Sequence, residues 1–293
     1  MSSINLPLIL TLAVFVTGLV WLYDRLVLSR PRKQALEAVE QQFARADLKN
    51  GAQRKAYEEA REAAGREPVW VEYSKSFFPV LALVFVLRSF IAEPFQIPSG
   101  SMEPTLEIGD FIVVNKFTYG IRLPVLNTEV IPVNDPERGE VMVFFPPHQP
   151  DTYFIKRVIG LPGDTVTYSD HQLTINGEPV PQEVVEVNRS APNPYRVVKE
   201  TLGDNTYTVR KHLTPGRYSR HGSWTVPEGH YFMMGDNRDG SFDSRGWDEL
   251  NGDPNKNFSF VPESEIVGKA FAIWMHWDSL FSVPSFERAG TIH

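Results

Sequence analysis

The sequence predicts a mainly β fold, in which two N-terminal transmembrane helices precede an all-β exported domain with a more polar inserted subdomain. Two long apolar runs occur before about residue 93. Beyond that point the chain changes to short runs rich in β-branched and aromatic residues, such as "DFIVVNKF", "GEVMVFF" and "YFIKRVIG". Turns that contain Gly or Pro, such as "LPGD" and "LTPGR", separate these runs, as is typical of an all-β domain.

The composition excludes several classes of protein. The chain has 293 residues, of which 42% are hydrophobic, and this is enough for one large or two modest packed domains. Its net charge of -7 argues against a nucleic-acid partner, since such proteins collect phosphates with a basic surface. The chain has no cysteine, so disulfides, thiolate metal sites and cysteine nucleophiles are excluded.

The first apolar run, residues 6–23, is "LPLILTLAVFVTGLVWLY" and contains no charged residue. At ~1.5 Å per residue, a helix of this length nearly spans a ~30 Å hydrocarbon core. We therefore predict a transmembrane helix after a short external N-terminus at 1–5. A cleaved signal peptide or a core helix is the alternative, but no basic residue precedes the run and no small-x-small cleavage pattern follows it.

The second apolar run, residues 77–92, is shorter and contains Arg88, which is costly in a membrane unless the side chain reaches an interface. Topology nevertheless favours a second transmembrane helix here. The basic residues directly after the first helix indicate a cytoplasmic loop at 24–76, with helical pieces that break near residue 50. Two crossings then export residues 93–293, within which 165–230 is the more polar insertion or subdomain.

The stretch "AEPFQIPSGSMEPTL", residues 92–106, places two serines around a glycine and between prolines. A residue before proline favours extended backbone, and Gly100 permits a turn that a side chain would forbid. Ser101 is therefore predicted to lie exposed at the end of an extended segment, where a base could activate it. The stretch is neither a G-x-S-x-G elbow nor an S-x-x-K motif, and a simple turn after a membrane helix is the alternative.

The candidate bases are histidine and lysine. The seven histidines occur in turn-like, terminal or packed contexts and form no metal-ligand spacing, so they are interpreted as structural or solvated. Lys156 differs, because strand alternation places it with Phe154 and Val158 on one apolar face. Lowering its pKa from ~10.4 to ~8 would take about 3 kcal/mol of desolvation, which burial can supply. A lysine that extends to solvent beside Arg157 is the alternative.

The run "MGDNRDGSFDSRGW", residues 234–247, is too rich in charged and hydroxyl side chains for an ordinary strand. A calcium loop with Gly240 at its sixth place fails, because glycines would then occupy the first and twelfth places, where carboxylates are required. Two interpretations remain. The run is either a hydrogen-bonded turn with an Asp243–Arg245 pair or a wall that orients a base.

Together these segments resemble the bacterial type I signal peptidases, or leader peptidases, a protease family with a serine–lysine dyad. The motifs that carry the resemblance follow the family's order behind two membrane spans of the family's kind. They are "PSGSM" at 98–102, "GEVMVF" at 139–144, "IKRVIGLPGD" at 155–164 and "GDNRDGSFDSR" at 235–245.

The resemblance implies a role for each matching residue. Ser101 matches the nucleophile and Lys156 the general base. Ser99 matches the serine whose hydroxyl, with the backbone N–H of Ser101, forms the oxyanion hole. Ser241 matches the serine that hydrogen-bonds to the lysine amine and orients it. Asp243 and Arg245 match the charged pair that supports the wall. The residues expected to contact the substrate are Phe95, Ile97, Pro98, Leu106, Ile112, Val143, Phe154 and Ile155.

The activity that the resemblance implies is that of a membrane-bound serine endopeptidase, which removes N-terminal signal peptides from exported preproteins after small residues of the Ala-x-Ala type. Its expected place is the bacterial inner membrane, with the β catalytic domain on the periplasmic side. Preproteins and the lipid bilayer are the expected partners, with the secretion translocon nearby. No metal, cofactor or nucleic acid is implied.

Two rival hypotheses stay open. One is a non-catalytic, membrane-tethered β module that captures exported polypeptides by strand addition. The other keeps a serine nucleophile but uses a histidine as the base.

Overall fold

The computed structural model describes residues 6–123, 128–250, 257–279 and 281–293. The predicted N-terminal segment 1–5 lies outside the described residues. The chain divides between Ser89 and Phe90 into two units. The first is helical and the second is built mainly of strands, so the predicted fold class is confirmed.

The helical unit contains two stretches, Leu6–Gln42 and Val69–Ile91, that are long and apolar enough to cross a membrane. Large apolar side chains along both are exposed, as Phe15, Leu19 and Leu83 are, and this suits contact with lipid. Single π-helical turns follow the two apolar helices, at Asp24–Leu28 and Leu87–Ile91. The α-helices are α1 (Leu6–Tyr23), α2 (Ser29–Gln42), α3 (Gly51–Gly65) and α4 (Val69–Val86).

Helix α4 begins at Val69, whereas the apolar run suggested a start at residue 77. Pro68 stands directly before it, and the N–H groups of Val71 and Glu72 donate to the Pro68 carbonyl at 2.9 and 3.1 Å. Proline and the first backbone hydrogen bonds set the start of a helix, while hydropathy marks only its apolar part. The end of the run also differs, since residue 92 already belongs to the first strand.

The segment predicted as a cytoplasmic loop, 24–76, is helical over most of its length. Helices α2 and α3 are separated near the predicted break, where Asn50 caps α3 by accepting a hydrogen bond from Ala52 N at 3.0 Å. Helices α1 and α4 pack together at Trp21 and Phe78, whose rings stack with centroids 5.6 Å apart.

The β domain contains the following strands within its described residues. They are β1 (Ala92–Gln96), β2 (Asp110–Asn115), β3 (Gly120–Arg122), β4 (Glu129–Pro132), β5 (Val141–Phe144), β6 (Phe154–Gly160), β7 (Thr165–Ser169), β8 (Gln172–Ile175), β9 (Glu178–Pro179), β10 (Gln182–Asn188), β11 (Tyr195–Leu202), β12 (Asn205–His212), β13 (Gly222–Thr225), β14 (His230–Met234), β15 (Val261–Pro262), β16 (Ile266–His276) and β17 (Gly290–Thr291).

The main sheet has the order β1-β2-β16-β5-β6-β14-β15, with β17 paired to β16, and its strand pairs are antiparallel. Strand β1 is therefore an edge strand. Strand β6 pairs with β5 from its first residue, but its pairing with β14 begins only at Arg157. Within the described residues, the side of β6 away from β5 pairs with no strand at 154–156, so β6 has an unpaired edge there in addition to the edge strand β1.

The predicted insertion at 165–230 forms two smaller sheets, β13-β7-β8-β9 and β10-β11-β12. It is not a separate body. Its buried side chains, including Val166, Tyr168 and Val209, share one hydrophobic core with Ile159 and Phe232 of the main sheet. Polar surface and a shared core are compatible, because each strand buries one face and exposes the other.

Candidate active site

Ser101 lies in a short 3-10 turn that ends at Met102. Two backbone hydrogen bonds hold the chain just before the turn: Ile97 N donates to Asp110 O at 2.8 Å, and Gly109 N donates to Ile97 O at 3.0 Å. Met102 is fully buried in the core below. The turn is thus anchored on both sides. Only 9% of Ser101 is exposed, which is less than the sequence suggested.

Lys156 lies on β6 and directs its amine at this serine. Its Nζ donates to Ser101 Oγ at 2.6 Å and to its neighbour's carbonyl, Ile155 O, at 2.9 Å. The side chain does not extend to solvent, since Lys156 is only 4% exposed. Strand alternation did not distinguish its face, because Arg157 on the opposite face is buried as well.

Burial lowers the pKa of Lys156 to about 8, because desolvation disfavours the ammonium form. The charges of Asp243 and Asp236 act in the opposite direction and the charge of Arg245 adds to the lowering. The amine also lies 5.5 Å from the centre of the Phe154 ring. Desolvation dominates, so ~10% of this lysine is neutral at pH 7 and can accept a proton, far more than for an unperturbed lysine.

Asp243 and Arg245 form a buried pair in the wall behind the lysine. The guanidinium donates to both carboxylate oxygens at 2.8 Å, and its Nη2 also donates to Arg238 O at 2.6 Å. Gly235 N donates to Asp243 Oδ2 at 3.0 Å. The paired guanidinium holds the pKa of the Asp243 carboxyl below its usual range against the cost of burial. The pair therefore fixes the backbone at Gly235.

Ser241 lies in the same wall but does not bond to the lysine. Its hydroxyl is buried and has no hydrogen-bond partner among the described residues. It packs against Gly235, where a Cβ atom would lie 2.2 Å from Ser241 Oγ and 2.5 Å from Ser101 O. The lysine instead bonds to Ser101 and to the carbonyl of Ile155, so the hydrogen bond expected from Ser241 is not formed in this structure.

Ser99 stands in extended backbone two residues before the candidate nucleophile. Its hydroxyl donates to Ser101 Oγ at 3.5 Å, the outer limit of a hydrogen bond. Both hydroxyls thus face the same region beside Lys156.

Asn237 and the Arg157–Asp236 pair were given no role by the sequence. Asn237 donates to the backbone of the turn, from Nδ2 to Gly100 O at 3.0 Å and from its backbone N to Ser101 O at 3.1 Å. Arg157 and Asp236 form a fully buried, bidentate ion pair, with distances of 2.7 and 2.8 Å. The charge-rich run at 234–247, which contains Asp236 and Asn237, was the only sign of these contacts in the sequence. The spacing of residues in that run does not show which other segment of the chain each side chain contacts.

The residues expected to contact the substrate fall into two groups. Four are buried in the core cluster below the serine turn, namely Ile97, Leu106, Ile112 and Val143. The other four are at least partly accessible, and they are Phe95, Pro98, Phe154 and Ile155. The accessible group lies on β1, on β6 and on the segment between β1 and Ser101. These residues are next to the edge strand β1 and the unpaired side of β6 at 154–156.

A serine hydroxyl in direct contact with a buried, partly neutral lysine is the arrangement of a serine hydrolase that uses lysine as its base. The serine–lysine contact and the two candidate membrane spans together place this chain in the class of membrane-bound serine hydrolases. The family model described as "Signal peptidase, peptidase S26" matches residues 70–277.

Known proteins agree with this match. The chain is 48% identical to "Signal peptidase I" of Pseudomonas aeruginosa, over 99% of this chain and 100% of that protein. It is also 48% identical to "Signal peptidase I" of Pseudomonas fluorescens, over 99% of each chain. The protein of the same name from Haemophilus influenzae is 34% identical over 92% of this chain and 85% of its own length. The chain belongs to the signal peptidase family, peptidase S26, as its motifs suggested.

Proposed function

We propose that this protein is an inner-membrane serine endopeptidase that cleaves signal peptides from exported preproteins, with Ser101 as the nucleophile and Lys156 as the general base. Family membership supports the activity. The observation that supports these two roles is the 2.6 Å contact between Lys156 Nζ and Ser101 Oγ in a buried site. No histidine among the described residues makes such a contact with Ser101, so the histidine-base hypothesis loses its support.

Acylation starts when neutral Lys156 accepts the Ser101 proton as the hydroxyl oxygen attacks the carbonyl carbon of the small residue before the cut. The carbonyl oxygen becomes an oxyanion, and the Ser99 hydroxyl and the Ser101 N–H are its proposed donors. Protonated Lys156 then gives its proton to the leaving nitrogen. The C–N bond breaks, the mature protein leaves with a new amino terminus, and the signal peptide stays as an ester on Ser101.

Deacylation repeats these steps with water. Lys156 accepts a proton from a water molecule, whose oxygen attacks the ester carbonyl. The proton returns to Ser101 Oγ as the C–O bond breaks, and the signal peptide leaves with a free carboxylate. The Asp243–Arg245 pair and Ser241 are proposed to support the base through the wall at Gly235, by packing rather than by a hydrogen bond to the amine.

Substrate binding is proposed to occur by strand addition at the edge strand β1 and at the first residues of β6. Main-chain hydrogen bonds there give affinity for any extended peptide, while Phe95, Pro98, Phe154 and Ile155 restrict the space near the cut. The four buried residues named above shape the floor from below. Small residues of the Ala-x-Ala type fit this arrangement.

Cleavage of a preprotein with an Ala-x-Ala site by the purified protein in detergent tests the proposal, with Edman sequencing of the new N-terminus. Ser101→Ala and Lys156→Ala are expected to abolish cleavage. Lys211→Met is the matched control, because Lys211 is also buried with a pKa lowered to about 8 but lies in another cluster, with Glu200. Cleavage that survives in Lys156→Ala would refute the base, and no cleavage by folded wild-type protein would favour the capture module.

The proposed topology places residues 24–76 in the cytoplasm and the β domain on the periplasmic side, near the secretion translocon. Because the chain has no cysteine, single cysteines introduced at the exposed positions Gln53 and Ser190 report topology directly. A membrane-impermeant maleimide added to intact spheroplasts is expected to label Ser190→Cys only. Labelling of Gln53→Cys alone would reverse the proposed orientation.

A further inference from the structure

The carbonyl of Gly100 is held from outside its own turn. Asn237 Nδ2 donates to Gly100 O at 3.0 Å, between residues that are 137 positions apart in the sequence. Within the turn, Glu103 N donates to the same oxygen at the longer distance of 3.3 Å. The backbone N–H of Asn237 donates to the next carbonyl, Ser101 O, at 3.1 Å. Asn237 therefore clamps two successive peptide units at the nucleophile.

One of these peptide units carries the backbone donor of the proposed oxyanion hole. The peptide bond between Gly100 and Ser101 is trans, since the cis bond in the described chain is Glu103–Pro104. In a planar trans peptide the C=O and N–H groups point in opposite directions. Fixing the Gly100 carbonyl therefore fixes the direction of the Ser101 N–H. A hydrogen bond accepted by the carbonyl also polarises the peptide and strengthens the N–H as a donor.

The Asn237 amide is itself held in place. The residue is only 8% exposed. Its backbone runs beside β12, where Arg210 N donates to Asp236 O at 2.8 Å and Arg238 N donates to Arg210 O at 2.9 Å. Gly240 leaves room for the amide, because a Cβ at that position would lie 2.6 Å from Asn237 Nδ2. A rigid strand and a glycine thus orient the side chain before any substrate binds.

We propose that Asn237 is a positioning residue of the oxyanion hole, which aims the Ser101 N–H through the Gly100 carbonyl. This inference rests on the proposed function, since it requires that the Ser101 N–H binds the oxyanion. The hydrogen bonds of the Lys156 amine go to Ser101 and Ile155, and not to Asn237. Its loss is therefore expected to weaken stabilisation of the tetrahedral state and to leave proton transfer to the base intact.

Asn237→Asp and Asn237→Ala test the proposal. The aspartate has nearly the same shape but, when ionised, cannot donate to the carbonyl. Asn205→Ala is the matched control, because Asn205 Nδ2 also donates to a backbone carbonyl, Arg138 O at 2.7 Å, outside this site. All variants are purified in detergent. For each we would measure kcat, KM, the pH profile of kcat/KM, and the inhibition constants of a peptide boronic acid and of a product-like peptide.

We expect both Asn237 variants to lower kcat by about 10- to 100-fold, less than the ~10²- to 10³-fold loss that follows removal of an oxyanion donor itself. KM should not change in either variant, and the midpoint of the pH profile should not change in Asn237→Ala. The carboxylate of Asn237→Asp adds a negative charge near Lys156 and is expected to raise that midpoint, as the charges of Asp236 and Asp243 raise the pKa of Lys156. The boronic acid becomes tetrahedral on Ser101, so its inhibition constant should rise by the same factor as kcat falls, while binding of the product-like peptide is unaffected. Asn205→Ala should match the wild type.

Two results would overturn the inference. One is wild-type kcat in Asn237→Ala. The other is a loss of kcat in Asn237→Ala with unchanged boronic acid binding or with a shifted pH midpoint, which would assign Asn237 to the base. Failure of the proposed function gives a different pattern, since wild-type protein would then not cleave the preprotein or Ser101→Ala would still cleave it.

Discussion

The rate of cleavage by this enzyme should depend on pH through Lys156, because only the neutral amine can accept a proton from Ser101. Burial lowers the pKa of this lysine to about 8. Below that pH most of the enzyme carries an ammonium at the site, and the proposed mechanism cannot start. The perturbation is thus a pH titration of kcat/KM, which reports ionisations of the free enzyme.

The expected magnitude follows from the pKa. With a pKa of about 8, the neutral fraction of Lys156 is ~1% at pH 6, ~10% at pH 7 and ~90% at pH 9. An unperturbed lysine with a pKa of ~10.4 would be only ~0.04% neutral at pH 7, so burial raises the competent fraction ~250-fold. We expect kcat/KM to rise tenfold per pH unit up to about pH 7.5 and to level above pH 9.

The assay uses a short peptide with an Ala-x-Ala site in detergent between pH 5.5 and 10.5, with tryptophan fluorescence at each pH to show that the protein stays folded. A rise in the pH profile of kcat/KM with its midpoint near ~6.5, the usual pKa of histidine, would refute a lysine base. A rate that still rises several-fold between pH 9 and pH 10 would show that Lys156 is not desolvated, because an unperturbed lysine with a pKa of ~10.4 titrates there. A plateau that starts near pH 9 would agree with the buried, neutral amine.

Three further predictions follow from buried contacts. In Gly235→Ala the new methyl group would lie 2.5 Å from Ser101 O, so the turn or the wall must shift by roughly 1 Å and kcat should fall by ~10²-fold in a protein that still folds. A wild-type kcat in that variant would show that the run at 234–247 can move to accept the methyl group without displacing Ser101. Lys156→Met should raise the free energy of unfolding at pH 7 by about 3 kcal/mol, because the folded-state pKa is depressed and the penalty of the buried charge is present below pH 8. That penalty disappears as pH rises from about 8 to ~10.5. The extra free energy of unfolding of Lys156→Met, measured by urea denaturation, should therefore shrink over this window, and an extra stability that does not change with pH would contradict the prediction. Glu200→Gln removes the carboxylate that pairs with both Arg238 and Lys211 in the core and should destabilise the β domain by about 3–5 kcal/mol in the same assay, and a neutral effect would show that these two cations find other partners.

The sequence predicted the elements of the fold well where local signals act alone. An uncharged run of helical length gave α1 with the bounds found in the structure, Leu6–Tyr23. Short β-branched runs gave β2, β5 and β6 near their observed places. The start of α4 was missed, because the backbone hydrogen bonds after Pro68 set it rather than hydropathy. The shared core of the insertion was also missed, since packing between sheets leaves no local pattern.

In the candidate site, too, local sequence predicted some features and packing between distant segments decided the others. Motif resemblance named Ser101 and Lys156, and the structure brings these two side chains together. The hydrogen bond expected from Ser241 is not formed, and the clamp by Asn237 was not anticipated. The contacts of Ser241 and of Asn237 both depend on the position of the run at 235–245 relative to the serine turn. The spacing of residues in the sequence gives no information on that position.

The sequence by itself determined the residue types and the local elements: an apolar anchor, a proline-stiffened serine turn, and a lysine on a strand. Only the tertiary structure decided that the amine of Lys156 lies 2.6 Å from a hydroxyl 55 positions away and that both are buried. The physical reason is that the pKa of a side chain depends on the water it loses, and that water is displaced by segments from other parts of the chain. Local sequence therefore supplied the lysine, and the packing around it lowers its pKa.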